Sequence, residues 1–163
     1  MEKNIDFNKF KHLGQEMHDL MVKLFPITRS LTGNGVRETL GILNSHIPIN
    51  CVEVKTGTKA FDWVVPKEWN IKDAYIKDSK GKRIVDYNKS NLHVVGYSTP
   101  IKIIIKKNAL LKKIHTLKDQ PSVIPYTTSY YKEDWGFCIA HNDLKLFKDD
   151  QYEVCIDSTL KSG

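Results

Sequence analysis

Gln151-Tyr152-Glu153-Val154-Cys155-Ile156-Asp157 decides how this chain is read. The stretch reads as a β-strand. It runs into Ser158-Thr159-Leu160-Lys161-Ser162-Gly163, which reads as the first part of a turn. A strand followed by an open turn needs a pairing partner, and that partner is expected outside these 163 residues.

Working back from this strand, the sequence predicts a β-rich block. Strand-like runs fall at residues 61–65, 74–77, 83–87, 92–95, 101–105 and 135–140. Asp78-Ser79-Lys80-Gly81 makes a hairpin turn between two of them. Residues 108–115 read as a short helix, with Leu110, Leu111 and Ile114 on its apolar side. Pro121 and Pro125 bracket an extended stretch.

Before residue 48 the period changes. Phe10, Leu13, Met17, Leu20, Met21 and Leu24 form the stripe of an amphipathic helix. Asp6 is its expected N-cap, and Pro26 ends it by forcing Phe25 out of helical geometry. A second helix carries Val36, Leu40, Leu43 and Ile47 and closes at Pro48. Residues 49–54 read as a strand. Helices followed by a β block give an α+β class. The helical front is too small to bury its own stripes, so it packs on the β block or on something beyond it.

An apolar content of 40% with 27% charged residues fits a globular protein. No apolar run reaches the roughly 20 residues of a membrane-spanning helix. Met1-Glu2-Lys3-Asn4-Ile5-Asp6 lacks the apolar heart of a secretion signal, which favours the cytoplasm. Cys51, Cys138 and Cys155, each in an apolar context, read as reduced core thiols. The net charge is +6. Its densest part, Lys102, Lys106, Lys107, Lys112 and Lys113, has no arginine, and it reads as the solvated face of a helix rather than a nucleic-acid surface.

No His-Glu-x-x-His or Gly-x-Ser-x-Gly occurs among the 163 residues, and Cys138 and His141 would face opposite ways on a strand. Two stretches remain as candidates. Arg29-Ser30-Leu31-Thr32-Gly33-Asn34-Gly35-Val36-Arg37 leads into a helix N-terminus. It is either a capping turn or an anion site using free N–H groups with Arg29 and Arg37. The second runs from Tyr126 through Ser129-Tyr130-Tyr131 and Trp135-Gly136-Phe137 to His141. Its aromatics and hydroxyls either fill a small core or face a sugar or peptide.

The chain resembles a bacterial family of aminopeptidase-like proteins with a nested domain of unknown function, found near polysaccharide-biosynthesis genes. The Arg29-to-Arg37 motif carries the likeness together with Gly57-Thr58-Lys59-Ala60-Phe61-Asp62-Trp63-Val64-Val65-Pro66-Lys67-Glu68-Trp69. Asn91-Leu92-His93-Val94-Val95-Gly96-Tyr97-Ser98-Thr99-Pro100 and Ile124-Pro125-Tyr126-Thr127-Thr128-Ser129-Tyr130-Tyr131 continue it in order. The resemblance implies that residues 1–56 begin an α/β zinc-exopeptidase-like unit. Residues 57–150 would be the nested β-rich domain, and residues 151–163 the strand returning to the first unit. Zinc ligands and a winged-helix domain would lie downstream, so no catalytic or metal residue is expected here and the chain alone is expected to be inactive. Arg29, Arg37, Tyr130, Trp135 and His141 would line the cleft for a peptide or amino-acid conjugate. An exposed apolar face and self-association are expected where the rest is missing. No nucleic-acid or membrane partner is expected. The competing reading is a free-standing β module that binds a sugar or peptide.

Overall fold

The computed structural model describes residues 7–163. Helix α1 spans Phe7–Leu24 and helix α2 spans Asn34–Asn44. The expected Asp6 cap lies outside the described residues. Strands β1 (Lys59–Ala60) and β2 (Trp63–Val64) form a small hairpin. They are followed by β3 (Glu68–Lys77), β4 (Arg83–Asp86), β5 (Ile101–Lys106), helix α3 (Lys107–Leu111), β6 (Ile114–His115), β7 (Phe137–Cys138) and β8 (Gln151–Lys161). The mixture of helices and sheet is α+β, as expected.

The main sheet is antiparallel, in the order β4-β3-β8-β5. β8 lies inside it, hydrogen-bonded to β3 on one side and β5 on the other. This corrects the reading of the closing residues. The strand does not turn after Asp157 but continues to Lys161, and both partners are within the chain. The polar letters misled because Ser158 faces inward, buried, where its hydroxyl donates to the Ser98 carbonyl at 2.7 Å. A satisfied hydroxyl is tolerated in a core position.

β3 is longer than its predicted core of residues 74–77. Its apolar residues change phase, with Trp69 and Ile71 before and Ala74 and Ile76 after. The register against β8 shifts between Ile71 and Asp73, so Lys72 is an extra residue in a bulge. The bulge keeps both halves facing the core although the alternation breaks in the sequence.

Other expectations are corrected as well. Residues 49–54 pair with no strand among the described residues, and of the three expected core thiols only Cys138 is buried, Cys51 being exposed and Cys155 half-buried on the sheet's other face. Residues 61–65 are not one strand, because the chain folds back at Phe61, whose φ is 56°. Residues 92–95 hold a 3-10 turn, Asn91–His93, capped by the Ser90 hydroxyl. The helix after β5 stops at Leu111, and Ile114 and His115 pair in parallel with β7. Lys102 and Lys106 therefore lie on a strand, not on a helical face. The predicted hairpin turn at Asp78 is present, closed by Gly81 N donating to Asp78 O at 3.0 Å.

The core lies on one face of the sheet. Ala74, Ile76, Val85, Tyr152, Val154 and Ile156 meet Val94, Leu110, Phe137, Ile139 and Phe147 from the loops and short elements above. The α1 stripe finds no such cover. Phe10, Leu13, Met17 and Met21 are exposed, Met21 at 62%. Among the described residues no helix is long and apolar enough to cross a membrane.

Candidate functional site

Residues 25–33 connect α1 to α2, and Thr28, Ser30 and Thr32 within them, with Asn34 at the start of α2, engage the β unit. Thr28 Oγ1 hydrogen-bonds Tyr87 Oη at 2.5 Å. Ser30 Oγ donates to Tyr130 Oη at 3.2 Å. Thr32 Oγ1 shares a hydrogen bond with Tyr97 Oη at 3.0 Å. Asn34 N donates to Asn70 Oδ1 at 2.7 Å. Three aliphatic hydroxyls of this stretch thus meet three tyrosine hydroxyls from separate parts of the β unit.

The glycines allow this close approach. A Cβ on Gly33 would lie 2.4 Å from the Trp69 carbonyl oxygen, and one on Gly35 would lie 2.0 Å from the Thr28 carbonyl oxygen. Gly33 also has φ +108°, which side chains rarely adopt. Gly33, the N-cap of α2, offers no side chain, so Asn70 supplies an acceptor for the helix N-terminus from β3. The first N–H of α2 is thus capped from a neighbouring strand.

Tyr97 is the pivot of the contact. Its φ is 69°, a strained value for a bulky residue. Its ring stacks on Trp69 with centroids 6.0 Å apart and meets Tyr130 edge-on at 5.1 Å. Its hydroxyl donates to the Lys67 carbonyl at 2.6 Å. Burial pushes the Tyr97 hydroxyl pKa up, and the Thr32 contact opposes this. Trp69 Nε1 donates to Ser98 O at 2.9 Å, which ties the pivot to the same carbonyl that receives Ser158.

Several clefts border the stretch between α1 and α2, two of them lined by expected site residues. The smaller, about 200 Å³, is bordered by Lys67, Tyr97, Tyr130, Tyr131, Lys132 and Glu133. Tyr131 is 88% exposed at its rim. Tyr126 Oη sits 3.1 Å from Tyr130 Oη, and this hydrogen bond, with some burial, pushes the Tyr126 pKa up to about 12. The larger, about 630 Å³, lies between α2 and residues 49–54, with Leu31, Val36, Leu40 and Val52 in its walls and Arg37 and Glu68 at its edge.

The expected site residues divide into two groups. Arg37 borders the larger cleft, where its guanidinium forks onto both oxygens of Glu68 and reaches Glu53 at 3.2 Å. The hydrogen bond from Arg37 holds the Glu68 carboxyl below its ordinary value. Tyr130 borders the smaller cleft. Arg29 is turned back on α1, donating to Leu24 O at 2.8 Å. Trp135 and His141 belong to the β6–β7 side of the unit. Lys113 Nζ lies 5.4 Å from the Trp135 ring centroid and pairs with Asp134. His141 Nδ1 is 3.0 Å from Thr116 Oγ1. Glu68 and Tyr97 were missed by sequence reasoning. Nothing in linear spacing links Glu68 to Arg37, 31 positions away.

Residues 68–159 match the family described as a domain of unknown function, DUF2172. A Clostridium acetobutylicum protein named "Putative polysaccharide biosynthesis protein with aminopeptidase-like domain" is 51% identical over 150 residues, covering 92% of this chain and 35% of its own length. A crystal structure described as that of a "putative peptidase" from the same organism superimposes with a TM-score of 0.90 at 51% identity, covering 93% of this chain and 36% of that one. The chain therefore spans about a third of the length of the relatives it matches.

Proposed function

From the premise that the chain belongs to the DUF2172 family, we propose that it forms the amino-terminal part of a zinc-dependent aminopeptidase-like hydrolase, with its β unit nested inside the catalytic unit. One observation carries this reading. Thr56 N donates to Gly163 O at 2.9 Å, and Gly163 N donates to Thr56 Oγ1 at 3.1 Å. The chain thus leaves the helical front and finishes β8 at the same place. Because β8 pairs with β3 and β5, the nested unit in this proposal extends past residue 150 to include the strand expected to return to the host, and a host domain can be interrupted there with little change to its own path. The names of the two relatives support the peptidase assignment.

In this reading the uncovered stripe of α1 and the open side of α2 pack against the remainder of the longer protein. Burying exposed large apolar side chains there stabilises the assembly. Left uncovered, the same face makes the isolated chain prone to self-association.

Among the described residues no group of three or more His, Cys, Asp or Glu side chains is placed to hold a metal ion. In this proposal zinc is held by the downstream part of the longer protein, and the chain alone is inactive. In the longer protein, zinc would activate the water that attacks the peptide carbonyl.

The part assigned to this chain is to wall the cleft for a peptide or amino-acid conjugate. Arg37, held by Glu68 and Glu53 at the edge of the larger cleft, keeps its remaining guanidinium N–H groups for a substrate carboxylate. The test is Arg37→Ala in the longer protein. Loss of the pair with Glu68 lowers the thermal midpoint, so hydrolysis of aminoacyl substrates is compared well below it, where both proteins are folded, and should fall there. Unchanged kinetics would remove Arg37 from the cleft. The three free thiols fit a reducing compartment, so the cytoplasm is the proposed location.

A further inference from the structure

The strand β5, Ile101-Lys102-Ile103-Ile104-Ile105-Lys106, forms one edge of the main sheet, and among the described residues no strand pairs with its outer side. Every second residue there has its backbone N–H and C=O free for a further strand over roughly 20 Å. Ile101, Ile103 and Ile105 share the core face. Lys102, Ile104 and Lys106 share the open face, opposite Cys155, Glu153 and Gln151 of β8. Ile104 is 73% exposed between the two lysines.

A second copy of the chain fits this edge poorly. Antiparallel pairing centred on Ile104 would set Lys102 against Lys106 on both sides of the centre, and like charges directly opposed are destabilising. Pairing centred on Ile103 would set each Lys106 against Pro100, which has no N–H to donate. The lysines therefore disfavour self-pairing and favour the opposite charge. Neither Lys102 nor Lys106 forms an ion pair with another described residue, although the field of Lys102 helps hold the Glu153 carboxyl low. Lys107, beside the strand's end, adds to the positive charge.

We propose that the outer edge of β5 binds an extended acidic peptide strand, with carboxylates at alternate positions facing Lys102 and Lys106 and an apolar residue over Ile104. Backbone pairing supplies the affinity and the two lysines supply the selection. This is separate from the hydrolase reading and does not depend on it.

The test uses the whole chain and a capped peptide alternating Glu and Val, followed by calorimetry and by the amide resonances of residues 101–106. Binding should shift those amides and weaken with salt. Alternate N-methylation of the peptide should abolish it, because the added methyl groups block the ladder. The double variant Lys102→Glu, Lys106→Glu, with parental circular dichroism, should bind the acidic peptide roughly tenfold more weakly and prefer a Lys/Val peptide. No binding by the parent, binding that survives N-methylation, indifference to the charge reversal, or sedimentation showing that the chain dimerises through β5 would each overturn the proposal.

Discussion

Ser30 Oγ donates to Tyr130 Oη across 3.2 Å, joining positions 100 residues apart. The contact is one of three of its kind, flanked by Thr28 with Tyr87 and Thr32 with Tyr97. Together they make the stretch between α1 and α2 a latch that fixes the helical front against the β unit. Any cleft shared by the two parts inherits its shape from this latch.

If the Ser30–Tyr130 bond matters, its two ends are coupled. Ser30→Ala and Tyr130→Phe should each lower the unfolding free energy by about 1 kcal/mol. The double variant should lose less than the sum of the singles, because the second change removes a bond already broken. Urea unfolding of the four proteins measures this, and strict additivity would show that the hydroxyls do not interact.

The glycines of the latch should be intolerant in a way that a helical glycine is not. Gly35→Ala drives a Cβ onto a backbone carbonyl, and Gly33→Ala does the same in a left-handed conformation. Each should cost at least about 2 kcal/mol. Gly41, within α2, has nothing within 4 Å of its added Cβ. There, Gly41→Ala should stabilise by roughly 0.5–1 kcal/mol through helix propensity. Thermal midpoints moving in opposite directions would bear out the contrast, and a harmless Gly35→Ala would refute the close packing.

The Arg37–Glu68 pair sets a pH dependence. The Glu68 carboxyl is held below its ordinary 4.5 by the hydrogen bond from Arg37. A lowered folded value means that its contribution is complete above the unfolded value and is lost as pH falls through the folded one. Asp134 and Glu153 are also held low, by Lys113 and Tyr75 respectively, so the whole chain weakens in acid. The difference between the parent and Glu68→Gln isolates the pair. That difference should be constant near pH 6 and shrink below about pH 4. A difference that grew in acid would contradict the assignment.

Much of this architecture is legible in the sequence. The stripes of α1 and α2, the Asp78 turn and the β-rich block are written in local periodicity and turn chemistry, although α2 stops at Asn44, short of the expected Ile47. What escaped notice depends on partners far along the chain. Ser158 looks like a turn residue until Ser98 is seen to accept its hydroxyl. The bulge at Lys72 hid half of β3 by shifting the phase of its apolar residues. Residues 49–54 have the composition of a strand, but a strand needs a ladder, and none is offered among the described residues. Arg29 and Arg37 were legible as notable residues, whereas their partners, the end of α1 and Glu68, were not.

The account is tested most directly by measuring zinc content and aminopeptidase activity side by side on this chain and on a full-length relative. The longer protein should hold stoichiometric zinc and release amino-terminal residues, with both lost on chelation, while the 163-residue chain should do neither. Stoichiometric zinc and hydrolysis by this chain alone, or a longer protein that is inert towards every peptide and conjugate offered, would contradict it.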